Sequence, residues 1–92
     1  MTYQIKFDEE ALDDFKKALS HYNLNSISLS DQFHKEFWNN IDYLKLSPLH
    51  FQLKYKEVRI SHLKKFPYAI HYIMDANVLF VFRILHHKQF YM

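Results

Sequence analysis

The chain has 92 residues, a formal net charge of +2, and neither cysteine nor glycine. A disulfide framework, thiol chemistry and glycine-rich phosphate loops of the Walker or dinucleotide type are thereby excluded, and a chain of this length is expected to form one domain, residues 1–92. Burial of only about 60–65% of the unfolded surface is expected at this size, and nine Phe, seven Tyr and one Trp offset that with large area per buried residue. The N-terminal stretch M-T-Y-Q-I-K-F-D-E-E has no apolar h-region, so no signal peptide is expected. No apolar run reaches bilayer length, so no membrane association is expected. The lack of cysteine fits the reducing cytoplasm.

Charge is unevenly spread. Residues 1–50 hold five Lys against eight Asp and Glu, a net −3. Residues 51–92 hold five Lys and two Arg against one Glu and one Asp, a net +5. The electropositive C-terminal half reads either as a lysine-guarded sheet edge or as a surface for an acidic partner, protein or nucleic acid.

In chain order, Tyr3 to Phe7 alternates apolar and polar as a half-buried strand does. Asp8, Glu9 and Glu10 suit a helix N-terminus, and Leu12, Phe15, Leu19 and Tyr22 predict an amphipathic helix over residues 9–22. Asn23 to Ser26 breaks it. Ser30 can cap a second helix, whose apolar face is Phe33, Phe37, Ile41 and Leu44 with Trp38 alongside, and Pro48 ends it. Strands follow: an irregular edge strand from Phe51 to Tyr55, its continuation from Val58 to Leu63, then Tyr68 to Met74. Asp75-Ala76-Asn77 forms a short hairpin turn, and Val78 to Leu85 reads as a central strand interrupted only by Arg83. Without glycine, Asn and Asp are the residues expected to take positive φ in turns. The expected fold is α+β: an N-terminal strand, a two-helix hairpin, and a three-stranded antiparallel meander in one sheet with the helices on one face. Leu12, Phe15, Leu19, Phe33, Phe37, Ile41, Ile70, Tyr72, Phe80, Phe82 and Ile84 are expected to be buried beneath the helices. Leu79, Val81 and Leu85 then lie on the opposite face, available to a partner or to self-association as a homodimer.

Few residues suggest chemistry. Seven histidines invite a metal reading, but His86 and His87 are adjacent on a strand and point to opposite faces, so they and His71 do not make one site. No metal or cofactor is expected. No serine sits in a nucleophile-elbow setting, and the carboxylates of the first helix read as dipole complement and solvated face. Arg59 and Arg83, the only arginines, fall inside strands. A structural ion pair is favoured slightly for Arg59, while for Arg83 an ion pair and a phosphate or carboxylate clamp stay equally open. Tyr68, Tyr72, Phe80 and Phe82 read as core rather than as a base-stacking platform.

The whole chain resembles the RelE/ParE toxin superfamily. The resemblance rests on the order of elements and on cues along it: Ala11 and Asp14 in the first helix, Tyr22 at its end, Phe33 in the second, and Pro48 after it. It continues with Arg59, then Phe66-Pro67-Tyr68 followed by Ile70 and Tyr72, and the terminus Ile84-Leu85-His86-His87-Lys88. It implies the toxin of a type II toxin–antitoxin system, neutralised by a cognate antitoxin. RelE-like members cut mRNA on the ribosome with sheet arginines and lysines and often a C-terminal tyrosine, whereas ParE-like members poison DNA gyrase. Here Ala69 and Gln89 stand where the RelE-type arginines would be, while Lys88 remains and Tyr91 can pass for the terminal tyrosine. The ParE-like branch therefore fits better, which implies a gyrase-binding toxin rather than an enzyme. A ribosome-dependent mRNA endonuclease and a degenerate, non-toxic member are the alternatives. Arg59, Arg83, His86, His87, Lys88, Gln89 and Tyr91 are the candidates for contact with a target or partner.

Overall fold

A computed structural model describes residues 3–51 and 53–90. Strand β1 (Gln4–Phe7) leads into helices α1 (Glu9–Asn25) and α2 (Ile27–Leu46). Strands β2 (Leu53–Tyr55), β3 (Val58–His62), β4 (Tyr68–Asp75) and β5 (Val78–His86) follow, and a single turn, α3 (His87–Phe90), comes after them. The strands form one sheet in the order β1-β5-β4-β3-β2. β2 to β5 run antiparallel, while β1 pairs parallel with β5 from Gln4–Val78 to Phe7–Val81. The expected α+β architecture is present, with the helical hairpin on one face.

The helices join more tightly than the sequence suggested. Ser26 is extended (φ −166°, ψ 129°), and its hydroxyl accepts the Leu29 N–H at 3.3 Å, so Ser26 rather than Ser30 caps α2. Ser30 is instead buried within the helix. A single extended residue is enough to turn the chain, because Ser26 closes α1 through its own N–H, bonded to the Tyr22 carbonyl, while capping α2 with its side chain. Glu9 and Glu10 sit in the first turn of α1, where they complement its dipole.

The buried face of α1 centres on Ala11 and Ala18, which let the helix approach the sheet closely; Phe15, Leu19 and Tyr22 are half-buried beside them. Leu12 was expected in the core but is 42% exposed, because that face passes through Ala11. On α2 the expected stripe of Phe33, Phe37, Ile41 and Leu44 is buried in full. Aromatic rings link the layers: Phe15 meets Phe37 at 4.5 Å, and Tyr22 meets Phe66 edge-on at 4.9 Å.

The largest departure lies in β5. Leu79 and Val81 are wholly enclosed in the core shared with the helices, whereas Phe80 and Phe82 are only half-buried. The cause is a β-bulge. His71 pairs with Arg83 and Tyr72 with Val81, leaving Phe82 as an extra residue that switches the side-chain parity of the strand. Ile84 thus faces the helices as expected, while Phe82 packs with Val58, Ile60 and Ala69 on the far side. Leu79 and Val81 are therefore not available to a partner. Leu85 is half-buried and pairs with Ala69, on the face away from the helices.

Both tight turns lack glycine. Lys56 (φ 48°) turns β2 into β3 and Ala76 (φ 54°) turns β4 into β5. Asn77 sits beside Ala76 but does not take the left-handed position itself.

Candidate functional site

The candidate residues of the C-terminal third fall into three places, set by the strand that carries each. Arg59 in β3 is half-buried and donates from Nη1 to the Phe51 carbonyl, tying the segment before β2 to the sheet. Its strand partner Tyr72 donates its hydroxyl to the Pro48 carbonyl at 2.6 Å, and burial pushes that phenol up to about 12. The pair fastens the connection between the α and β halves, a structural role.

Arg83 lies where β1 stops pairing with β5. Beyond Val81 that edge of β5 has no strand beside it, and Asp14 of α1 covers it. The Asp14 carboxylate accepts from Arg83 Nε at 2.7 Å, from Arg83 Nη2 at 3.1 Å and from the Ile84 N–H at 2.9 Å. Glu10 adds a longer contact at 3.5 Å. The hydrogen bond to Asp14 is the main cause that raises the Arg83 pKa, with the charges of Asp14 and Glu10 adding to it. The sequence left Arg83 open between clamp and ion pair, and its charge is used internally.

The two histidines were expected side by side on one strand, but only His86 belongs to β5, and His87 opens α3. His87 reaches the far face, where its Nε2 lies 3.2 Å from Nδ1 of His62, and its N–H donates to the Pro67 carbonyl. His86 packs edge-on against Tyr68 at 5.1 Å, and its Nδ1 accepts the Lys88 N–H at 3.1 Å. Burial, Lys88, His87 and His21 together push the His86 pKa down. On that side Asp14, Lys17, His21, Tyr68, His86 and Lys88 line an open cleft of about 440 Å³, floored by Ala18 and Ile84. Burial raises the Tyr68 phenol and keeps it a neutral donor. Gln89 belongs to α3, and Tyr91 lies outside the described residues.

The far face of the sheet is apolar and close to neutral. Val58, Ile60 and Ala69 are buried there, with Phe82 against them. His71 is 1% exposed, hydrogen-bonded through Nδ1 to the Tyr55 hydroxyl at 3.1 Å and edge-on to Phe82. Burial, with the charges of His62 and Arg83 adding to it, lowers its pKa to about 4, against a smaller opposing effect of Asp14. His71 is therefore uncharged at neutral pH.

Sequence reasoning missed His62, Lys17 and His21. The partner of His62 is set by a turn four residues long, and Lys17 and His21 join the cleft only because α1 crosses the end of β5. Their spacing of four on one helix was the available signal. Glu36 was missed as well. Its carboxylate accepts the N–H groups of Lys64 and Lys65, bracing the β3–β4 turn against α2. Among the described residues, no helix is long and apolar enough to cross a membrane.

Comparison with known proteins bears on this arrangement. The family model described as the ParE toxin of type II toxin–antitoxin systems, parDE, matches residues 5–91. A structure from a chromosomal ParDE toxin–antitoxin system of P. aeruginosa superposes with a TM-score of 0.78 at 14% identity, covering 92% of this chain and 96% of that one. A chain of the E. coli DinJ-YafQ toxin–antitoxin complex superposes with a TM-score of 0.68 at 15% identity over 100% of both chains. No curated protein matches the sequence.

Proposed function

Because the chain belongs to the ParE toxin family of type II toxin–antitoxin systems, we propose that it acts by binding and inhibiting DNA gyrase, and that a cognate antitoxin holds it silent. One observation carries this over mRNA cleavage: Arg83, the arginine nearer the tip, is ion-paired with Asp14 and Glu10 instead of being presented to a phosphate. Cleavage of a phosphodiester requires preorganised cations where charge develops, and losing one such donor typically costs on the order of a hundredfold or more in rate. Here Arg83 is held by Asp14, Arg59 by the Phe51 carbonyl, and Ala69 occupies the centre of the far face. A toxin with this sheet works through surface contact. His86, His87 and Lys88, followed by Gln89 in α3, form the tip that would meet the target, and Tyr91 remains a candidate contact by sequence alone. The antitoxin has exposed apolar side chains to cover: Leu53 on the outer strand β2 is 54% exposed, and Leu46 and Leu49, at the end of α2 and in the segment after it, are 61% and 58% exposed.

The second reading, a ribosome-dependent endonuclease, is favoured by the His62–His87 pair alone, since imidazoles at hydrogen-bond distance can exchange protons with a 2′-hydroxyl and a leaving group. Two assays on the purified chain separate the readings. Gyrase-dependent DNA breaks, lost when residues 86–92 are deleted, are expected. Codon-specific mRNA cuts in a translating extract, abolished by His87→Ala, would overturn the gyrase reading.

A further inference from the structure

The cleft between α1 and the C-terminal end of β5 has a one-sided chemistry. Asp14 is its only carboxylate, and its oxygens already accept from Arg83 and the Ile84 N–H. The other polar groups are donors: the ammonium groups of Lys17 and Lys88, the Tyr68 hydroxyl, and the imidazoles of His21 and His86. His86 is also fixed in tautomer. Its Nδ1 accepts the Lys88 N–H, so the neutral ring carries its proton on Nε2. A cavity of about 440 Å³ is larger than one phosphate group needs, and the Tyr68 and His86 rings give it a partly aromatic wall.

We propose that this cleft is a binding site for a phosphate monoester. Several donors lining one cleft, from α1, β4, the end of β5 and α3, suit the three terminal oxygens of a phosphate better than the two of a carboxylate. The cleft shares His86 and Lys88 with the tip, but the proposal concerns a small ligand on its helix side and does not depend on the gyrase reading. It also predicts a linked proton. The charged and titratable groups around His86 are Asp14, Lys17 and His21 from α1, Tyr68 from β4, Arg83 from β5, and His87 and Lys88 after it. Burial, followed by the charges of Lys88, His87 and His21, disfavours the imidazolium, and a bound dianion would oppose those charges.

The test is nuclear magnetic resonance titration of the full chain at fixed ionic strength, with inorganic phosphate and with adenosine 5′-monophosphate in separate arms. Saturable shifts confined to Lys17, His21, Tyr68, His86 and Lys88 are expected, with the His86 titration midpoint moving upward on saturation. The tighter of the two ligands identifies the source of the phosphate. Lys17→Glu and Lys88→Glu, both at exposed positions, should each weaken binding by about tenfold, the worth of one charge-assisted hydrogen bond, while Lys35→Glu on α2 should not. Shifts spread over exposed lysines without saturation, or charge reversals at 17 and 88 that bind like the parent, would overturn the proposal.

Discussion

Replacing Asp14 with alanine tests how β5 is held where β1 ends. Asp14 makes three contacts there, and the side chains of Asp14 and Arg83 are 13% and 35% exposed. The substitution orphans the Ile84 N–H, which costs about 1–3 kcal/mol when a backbone donor loses its partner away from water. The ion pair adds about 0.5–1 kcal/mol, because solvent reaches Arg83 and screens it. The sum is roughly 1.5–4 kcal/mol, and at about 4–8 °C per kcal/mol for a domain of this size Tm should fall by roughly 6–32 °C. Arg83→Met removes the ion pair but leaves the Ile84 bond, so its loss should stay within about 1 kcal/mol. Asp14→Asn keeps one acceptor oxygen and should fall between the two. Calorimetry or chemical denaturation of the three variants gives the ranking. Equal losses for Asp14→Ala and Arg83→Met would show that the backbone contact contributes nothing and would refute the reasoning.

Stability should also depend on pH through His71. Its pKa is depressed from 6.5 to about 4 in the folded chain, so below pH 6.5 the unfolded state takes up a proton that the folded state refuses. This contribution is present above pH 6.5 and should be lost as pH falls, by up to about 1.4 kcal/mol per unit toward pH 4; denaturation of His71→Leu across the same range should lack that component of the slope. Phe37 is 1% exposed and contacts Phe7, Phe15, Phe33 and Trp38. Phe37→Ala should cost about 3–5 kcal/mol in urea denaturation. Glu36→Ala frees the N–H groups of Lys64 and Lys65 at an exposed turn, so a loss of about 1 kcal/mol is expected, with faster amide hydrogen exchange confined to residues 63–67.

The α half was legible because periodicity has one reading on a long helix. The four-residue stripe of α2 predicted its buried face residue by residue, and only the cap moved, from Ser30 to Ser26. On α1 the small side chains Ala11 and Ala18 took the places that periodicity gave to larger ones, since close approach to a sheet rewards small volume. β5 failed for a different reason. A strand apolar on both faces carries no parity signal, and a bulge at Phe82 changes the parity midway. Ile84 therefore matched while Leu79 and Val81 did not. Arg83 was legible as a strand arginine but not as an ion pair, because its partner lies 69 positions away on α1. His86 closes β5, but His87 opens α3 instead of continuing the strand, so alternation along a strand did not place it; its contact with His62 depends on the β3–β4 turn and was not readable.

The parallel pairing of β1 with β5 has a consequence for how the molecule comes into being. Residues 4–7 find their hydrogen-bonding partners only at residues 78–81, and α1 rests on Arg83 and Ile84. Synthesis runs from the N-terminus, so β1 has no strand partner until almost the whole sheet has emerged, while α1 can already pack on α2 through Phe15 and Phe37. Loop closure over that span must precede the contacts that reward it, which makes folding slower than for helical bundles of equal length. A toxin built this way has no active half. The β1–β5 seam cannot pair until residues 78–81 are present, so the five-stranded sheet stays incomplete for most of the chain's synthesis.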